Sequence, residues 1–225
     1  MIILALETAA DPGAIALWLD GRIVVRSCPE ERSNSESLLP LVASTLTEVG
    51  LGFADLDGIA FGAGPGSFTG LRVACGVAQG LAMARDVPLI GIGTLEAMAL
   101  ASGGERVIVA MDARMGEVYY GFFEQGVQQG HIGVFSPKAA PLPTSANWLA
   151  CGNGLNVYPL LRERLSPFVD HWNPELMPSV EAVVRLAVQR FANGEQIDPA
   201  DAVPLYVRDK VAKTITERLA EGGKA

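Results

Sequence analysis

The chain has 225 residues, of which 49% are hydrophobic and 19% charged, a balance typical of a folded protein rather than a disordered one. Its net charge of -8 argues against a main role in nucleic-acid binding, because neutralising phosphates requires clustered lysines and arginines. The three cysteines are separate in sequence, which disfavours a disulfide framework or a zinc knuckle and predicts reduced thiols.

The first residues are apolar but lack the basic region of a signal peptide. No apolar run approaches the ~20 residues that a membrane-spanning helix needs. We therefore expect a cytoplasmic protein that does not contact a membrane.

The first half of the chain alternates apolar runs with turn-forming residues. A strand, a turn at 11–13, a second strand, a hairpin at 20–21 and a third strand predict an antiparallel meander. The predicted elements are strands 2–6, 14–19 and 22–27, helix 35–49 capped by Ser35, strand 58–61, helix 71–84, strand 88–92 and helix 94–101. This order predicts a ribonuclease-H-like α/β lobe.

The second half repeats the opening in weaker form, since an apolar strand again ends at an acid, Asp112, as the first strand ends at Glu7. We interpret this as an internal duplication. The predicted elements are strands 106–111, 117–123 and 131–135, a strand from 148, helices 155–165 and 179–191, and an extended segment 199–208. The expected domains are a first lobe, 1–103, a second lobe, 104–208, and a tail, 209–225, that could form a helix packing on the first lobe.

Residues 62–70 form a glycine-rich loop between a predicted strand and a predicted helix. Glycines let a backbone approach an anion closely, so the loop could bind phosphate. The established fingerprints fail, however, because no lysine stands where a Walker loop needs one and Thr69 occupies the third glycine position of a dinucleotide motif. A tight strand-to-helix turn that binds nothing explains the loop equally well.

The helix after this loop carries Gly76 and Gly80, four residues apart. Each glycine inside a helix costs roughly 1 kcal/mol relative to alanine. We therefore predict that another backbone passes close to this helix, either within the lobe or on another subunit.

Acids at the ends of strands are the candidates for chemistry. In an actin-like fold of two lobes, Glu7 and Asp112 would face the cleft between the lobes, where acids can act through a metal or a water. Solvated or capping carboxylates are the alternative. The candidate nucleotide or phosphate cleft comprises Glu7, Thr8, Gly64, Gly66, Ser67, Thr69, Gly70, Arg72, Asp112 and Arg114. No spacing of ligand residues predicts a metal site, and two histidines supply no credible catalytic triad.

Several stretches resemble one family in the order in which they occur. Residues 62–82, GAGPGSFTGLRVACGVAQGLA, resemble the signature of the TsaB family, also called YeaZ. Residues 3–9, 111–121 and 204–212, the last reading PLYVRDKVA, resemble its other motifs.

The resemblance implies an actin-like fold of two ribonuclease-H-like lobes and a non-catalytic role. TsaB is the partner of TsaD, which transfers a threonylcarbamoyl group to adenosine at position 37 of tRNA. The resemblance also implies that TsaE binds the pair, that the protein can self-associate through its first-lobe helices, and that tRNA is contacted only through the complex. No cofactor is expected, although ATP or ADP could bind in the cleft or at the partner interface.

TsaD carries a metal-binding motif of the type His-x-Glu-Gly-His, at a place that reads Thr94-Leu95-Glu96-Ala97-Met98 in this chain. The two histidine positions are Thr94 and Met98, which bind metals poorly. The resemblance therefore disfavours TsaD-type catalysis and, still more, a glycoprotease-like peptidase. A kinase of the same superfold, with Asp112 as base and the 62–70 loop as phosphate site, is the enzyme alternative.

We expect the first-lobe helices 35–49 and 71–84 to form the partner surface. The predicted contact residues are Leu38, Leu39, Val42, Leu46, Val73, Val77, Gly80, Leu81 and Ala84. Some of them must instead line the core of the lobe, and the sequence does not sort the two groups.

Overall fold

The structure is a computed structural model that describes residues 1–208. The predicted tail, 209–225, lies outside these residues. None of the helices between residues 1 and 208 is both long and apolar enough to cross a membrane.

The first sheet has five strands in the order β3-β2-β1-β4-β5. Its strands are β1 (Ile2–Glu7), β2 (Ala14–Leu19), β3 (Arg22–Ser27), β4 (Gly58–Gly64) and β5 (Leu89–Gly93). The first three form the predicted antiparallel meander, and β4 and β5 extend it in parallel from β1. Because side chains alternate along a strand, β1 sends Leu4 and Leu6 to one face and Ile3 and Ala5 to the other.

Helices α1 (Asn34–Glu48) and α2 (Phe68–Arg85) cover the face that holds Leu4 and Leu6. Ser33, and not the predicted Ser35, is the N-cap of α1. Its amide donates a hydrogen bond to the carboxylate of Glu36 at 3.3 Å, which is half of a capping box.

The second sheet repeats the topology of the first, with the order β10-β9-β6-β7-β8. Its strands are β6 (Arg106–Arg114), β7 (Glu117–Glu124), β8 (Val127–Phe135), β9 (Trp148–Cys151) and β10 (Val169–Asn173). Here β6, β7 and β8 form the antiparallel meander, and β9 and β10 run parallel beside β6. Two lobes of this topology form the predicted actin-like fold, and the shared strand order supports duplication.

The prediction for residues 154–173 needs correction. The strand β10 was not predicted. The single helix expected over 155–165 is two helices, α4 (Gly154–Val157) and α5 (Pro159–Leu165), because Pro159 has no backbone N–H to continue the first helix.

Helix α6 (Val180–Ala192) returns from the second half of the chain to the first sheet. Its buried residues, among them Val180, Val183 and Ala187, pack against Ile3 and Ala5 of β1. The helix was predicted over 179–191 and placed within the second lobe, 104–208. Its apolar side covers the first lobe instead.

Helix α3 (Thr94–Ser102) lies between the two lobes. Ala97 belongs to the core under α6, whereas Leu95, Met98 and Ala99 belong to a core shared with the second sheet. The only charged side chain of α3, Glu96, accepts two hydrogen bonds of 2.7 Å from Arg190 of α6.

Replacing Met98 by alanine should lower the free energy of unfolding by about 2–5 kcal/mol, because it opens a cavity between α3 and the second sheet. Met98 is fully buried, whereas Met83 of α2 is 62% exposed and provides a control. The Met83→Ala change should alter stability by less than about 0.5 kcal/mol in the same urea titration. Similar losses for the two variants would contradict a tightly packed interlobe helix.

Candidate functional site

The glycine-rich loop joins β4 to α2 and is closed by a helix cap. Ser67 is the N-cap, and its side-chain oxygen accepts a hydrogen bond from the amide of Gly70 at 3.3 Å. The helix therefore begins at Phe68, three residues before the predicted start at 71.

The glycines of this loop are required by contacts within the chain. A Cβ on Gly66 would lie 2.5 Å from the Cβ of Ala9, and one on Gly70 would overlap the carbonyl oxygen of Thr8. Gly64 has a φ of 117°, in the left-handed region that favours glycine. The close approach of the residues after β1 thus explains Gly66 and Gly70, and the backbone conformation explains Gly64, without a bound anion.

Hydrogen bonds fasten the loop to the end of β1. The hydroxyl of the fully buried Thr8 donates to the carbonyl of Gly70 at 2.6 Å, and the amide of Ser67 donates to the carbonyl of Ala9 at 2.9 Å. An amide that a phosphate-binding loop would offer to an anion is therefore engaged. The geometry favours a rigid strand-to-helix turn over a phosphate site.

A cleft of about 590 Å³ separates the lobes. Of the ten residues predicted for a nucleotide or phosphate cleft, five line it: Gly66, Ser67, Thr69, Asp112 and Arg114. The other five, Glu7, Thr8, Gly64, Gly70 and Arg72, are not among its lining residues. The prediction missed several residues that do line it, including Tyr119, Asn153, Tyr206 and Arg208.

Asp112 lies within β6 and is held by its neighbours. Its carboxylate accepts hydrogen bonds from the hydroxyl of Tyr158 at 2.7 Å and from the amide of Arg114 at 2.9 Å. The guanidinium of Arg114 lies 3.3 Å from its second oxygen. Burial and the hydrogen bond to Asp112 raise the pKa of Tyr158 to about 12. Both oxygens of Asp112 are thus engaged, which does not suit a general base.

Arg72 stacks at the rim of the cleft. Its guanidinium lies 3.8 Å from the centroid of the Phe68 ring, and its Nε donates to the hydroxyl of Tyr206 at 2.9 Å. The rings of Phe68 and Tyr206 are 5.6 Å apart. Arg72 therefore connects α2 to the segment near residue 206.

Glu7 is a buried carboxyl group that faces β4 rather than the cleft. A Cβ on Gly62 would overlap its carboxylate, so that glycine makes room for it. One oxygen accepts a hydrogen bond from the amide of Ala9 at 2.7 Å, and the other has no hydrogen-bond partner among residues 1–208. Burial raises the pKa of Glu7 from 4.5 to about 7, against the lowering effect of the backbone amides.

Burial divides the predicted partner contacts on α1 and α2 into two groups. Leu38, Val42 and Leu46 are buried in the core of the first lobe, so their prediction as contact residues is wrong. They form the apolar stripe with which α1 packs on the sheet. The other six remain on the outside: Leu39, Gly80 and Ala84 are exposed, and Val73, Val77 and Leu81 are half-buried.

The two helix glycines differ from the loop glycines in their surroundings. A Cβ placed on Gly76 or on Gly80 would have no atom of residues 1–208 within 4 Å, apart from the backbone of α2 itself and the adjoining residues. Between residues 1 and 208, no neighbouring backbone therefore explains these two glycines. Of the two explanations that the sequence left open, a close contact within the lobe therefore finds no support among residues 1–208.

The segment Thr94–Met98 opens α3 and is part of the interlobe core. Thr94 and Met98 are fully buried, and Glu96 is paired with Arg190. Throughout the described chain, residues 1–208, no three His, Cys, Asp or Glu side chains come together as ligands for one metal ion.

Comparisons with known proteins give TsaB relatives along nearly the whole chain and a TsaD family model over part of it. A family model described as TsaD, tRNA N6-adenosine threonylcarbamoyltransferase, matches residues 28–134. The tRNA threonylcarbamoyladenosine biosynthesis protein TsaB of Escherichia coli K12 is 37% identical over 226 residues, which cover 94% of this chain and 96% of that protein. The TsaB protein of Haemophilus influenzae is 31% identical, with 94% and 95% covered. The solved structure of YeaZ from Pseudomonas aeruginosa is 35% identical and superposes with a TM-score of 0.82, covering 91% of this chain and 99% of that one.

The buried carboxyl group of Glu7 predicts that the stability of the protein depends on pH. Between pH 4.5 and about 7, Glu7 is protonated in the folded protein and ionised in the unfolded chain. The free energy of unfolding therefore falls as the pH rises through this window. The Glu7→Gln variant cannot lose a proton. Relative to the unmodified protein it should therefore gain up to about 3 kcal/mol between pH 4 and pH 8, measured by urea unfolding. A constant difference between the two proteins across this range would contradict the buried, unpaired carboxyl.

Alanine substitutions at the helix glycines and at a loop glycine should have opposite effects on stability. Gly76→Ala and Gly80→Ala should each raise the free energy of unfolding of the isolated protein by up to about 1 kcal/mol, because alanine favours a helix and the space is open. Gly70→Ala should lower it by more than about 2 kcal/mol, because the methyl group meets the Thr8 carbonyl. Thermal and urea unfolding measure both effects. A loss of stability at Gly76 or Gly80 would show that this face is covered within the chain.

Proposed function

The chain belongs to the TsaB family, also called YeaZ, and from that premise we propose that it is a non-catalytic subunit in the biosynthesis of threonylcarbamoyladenosine in tRNA. In this proposal it binds and activates TsaD, which transfers the threonylcarbamoyl group to adenosine at tRNA position 37. The complex works in the cytoplasm.

We infer the location of the partner surface from one observation. Gly76 and Gly80 are exposed, and a Cβ on either would have no neighbouring side chain within 4 Å among residues 1–208. Glycines on one side of a helix let a second backbone approach closely, and that approach offsets their cost in helix stability. Val73, Val77, Leu81 and Ala84 flank them, and Leu39 offers an apolar side chain from the neighbouring α1. The proposed TsaD surface is this outer face of α2 with the adjoining part of α1.

The packing of α3 supports a role without catalysis. Thr94 and Met98, which occupy the positions of the metal-binding histidines of TsaD in the resemblance, are fully buried, and Met98 belongs to the core shared with the second lobe. A histidine at position 98 would therefore face apolar side chains rather than an open metal site. The enzyme alternative, a kinase with Asp112 as base, has less support because both carboxylate oxygens already have partners.

The same face can serve more than one complex. When TsaD is absent, two copies of the chain could pair through α2, because open glycines suit a symmetric helix contact. In the proposal TsaE binds the assembled pair and tRNA is contacted through TsaD. A homodimer would therefore compete with TsaD for one surface.

Filling the glycine face should block the pairing with TsaD. The Gly80→Leu variant should remain folded, because its side chain points into open space, yet its affinity for TsaD should fall at least about 100-fold, since a helix contact that needs a glycine is lost. Gln189→Leu is the matched control, because it adds a leucine to the exposed side of α6, on the opposite face of the first sheet. Co-purification and calorimetry with TsaD measure both. Normal affinity of a folded Gly80→Leu protein would refute this interface.

Reconstitution tests the function itself. Modification of tRNA by TsaD and TsaE should require this chain, should be lost with Gly80→Leu and should persist with Gln189→Leu. If TsaD and TsaE modify tRNA equally well without the chain, the scaffold function is wrong. Turnover of Mg-ATP by the isolated chain would instead favour the kinase.

A further inference from the structure

Residues 204–208, Pro-Leu-Tyr-Val-Arg, belong to a segment that neither the catalytic nor the partner argument has used. The chain forms a 3₁₀ turn at Pro199–Asp201, and residues 202–208 are irregular, so the prediction of an extended segment over 199–208 is wrong at its start. The path of residues 202–208 connects the two lobes.

The segment begins on the inner part of α2. Gln79 donates a hydrogen bond to the carbonyl of Pro199 at 2.7 Å, and the thiol of Cys75 lies 3.6 Å from the carbonyl oxygen of Ala202. Ala202 is buried in the core of the first lobe. The amide of Leu205 then donates to the carbonyl of Ala63 in β4 at 2.7 Å. The start of the segment is therefore fixed to the first lobe.

Tyr206 contacts the first turns of α2. Its ring lies beside Phe68, and its hydroxyl accepts the hydrogen bond from Arg72. These two residues stand on the same helix as Gly76 and Gly80. Movement of residue 206 would therefore reach the proposed partner helix directly.

Arg208 fixes the other end to the second lobe. One of its nitrogens donates to the carboxylate of Glu117 at 2.6 Å and to the carbonyl of Ala113 at 3.1 Å, and another lies 3.5 Å from the sulfur of Met115. Val207 packs against the core that α3 shares with the second sheet. Residues 202–207 thus run from the core of the first lobe to the core that α3 shares with the second sheet, and Arg208 continues to the second lobe.

The part of the second lobe that Arg208 contacts is itself strained. At the tip of the β6–β7 hairpin, Arg114 and Met115 have φ values of 64° and 55°, a left-handed conformation that costs roughly 1–2 kcal/mol for a residue with a side chain. Such a tip persists only where its surroundings hold it. Arg208 contacts the residues on both sides of Arg114, so it is placed to do so.

We propose that residues 202–208 form a strap that couples the partner helix α2 to the β6–β7 hairpin across the mouth of the cleft. Residues 205–208 line that cleft, and each lobe holds one end of the strap. Opening of the lobes therefore requires release of Arg208 or of the first-lobe contacts made by Leu205 and Tyr206, and either release loosens the first turns of α2. Arg208 is a positioning residue: it lies on the second lobe and acts on the partner surface through Tyr206 and Arg72. The part of this inference that concerns TsaD rests on the proposed function.

Charge reversal tests the coupling in the full-length protein. In Arg208→Glu a carboxylate faces Glu117, so the strap should detach. Hydrogen exchange should become about 3- to 10-fold faster at the amide of Leu205 in the strap and at the amide of Leu71 in α2. The Leu71 amide donates to the carbonyl of Ser67 and reports on the first turn of that helix. The double variant Arg208→Glu/Glu117→Arg should recover most of the protection, because it restores an ion pair of opposite polarity.

Two further variants serve as controls. Arg185→Glu breaks an exposed ion pair with Glu181 on α6 and should leave both amides unchanged. Tyr206→Phe removes only the hydrogen bond to Arg72, so it should accelerate exchange at Leu71 even if Arg208→Glu folds poorly.

Each result decides the inference. Normal exchange at Leu71 in both Arg208→Glu and Tyr206→Phe would overturn it, as would an acceleration that the double variant does not reduce. If TsaD binds the unmodified protein, Arg208→Glu should weaken that binding about 3- to 10-fold with rescue by the double variant, and unchanged affinity would overturn the link to the partner surface. If TsaD does not bind the unmodified protein, the proposed function fails, whereas the exchange data still decide whether the strap couples the lobes.

Discussion

The packing of α3 between the two sheets is the constraint on which the rest of the molecule depends. A helix covered on two sides must be apolar on nearly its whole circumference, and the sequence Thr94–Ser102 contains one charged residue, Glu96. That charge is neutralised by Arg190, on a helix that comes back from the second half of the chain. The two lobes are therefore joined by a shared core as well as by their linker, and α6 must return to complete it.

The space around each glycine explains why glycines occur in the loop and differ from those in α2. Those in the loop 62–70 allow the end of β1 to touch the start of α2, so the loop positions a helix. Those within α2 touch nothing between residues 1 and 208, and they weaken a helix that folding alone would strengthen with alanine. The proposed contact with TsaD would account for two glycines that lower helix stability and have no compensating contact among residues 1–208.

Sequence patterns predicted the elements well but not which surface each would cover. The periodicity of α1 identified Leu38, Val42 and Leu46 as one apolar stripe, yet a stripe does not state whether a core or a partner covers it. The same limit placed α6 in the wrong lobe. The strand β10 was missed because only one of its five residues, Val169, is fully buried, so no alternating pattern marks it. Half of the predicted cleft residues line the cleft, because the loop after β4 and the end of β6 reach it as predicted, whereas Glu7 at the end of β1 faces β4. The segment near Tyr206 was missed because it approaches from a distant part of the chain.

Helix α2 is held at its first turn and along its inner side by residues 1–208 alone. Ser67 caps its first turn, the small residues Ala74, Ala78 and Ala82 bring its inner side close to the first sheet, and residues 202–206 pass along it. The outer side therefore needs no reordering when another helix docks, and the entropy that docking would otherwise cost has already been lost in folding. This preorganisation suits the proposed scaffold function, in which the chain contributes a surface of fixed shape rather than a reactive group. The hydrogen bonds of the glycine-rich loop matter for the same reason, because a change in the direction of α2 at Ser67 would grow along the 18 residues of the helix and displace Gly76 and Gly80 from the proposed partner.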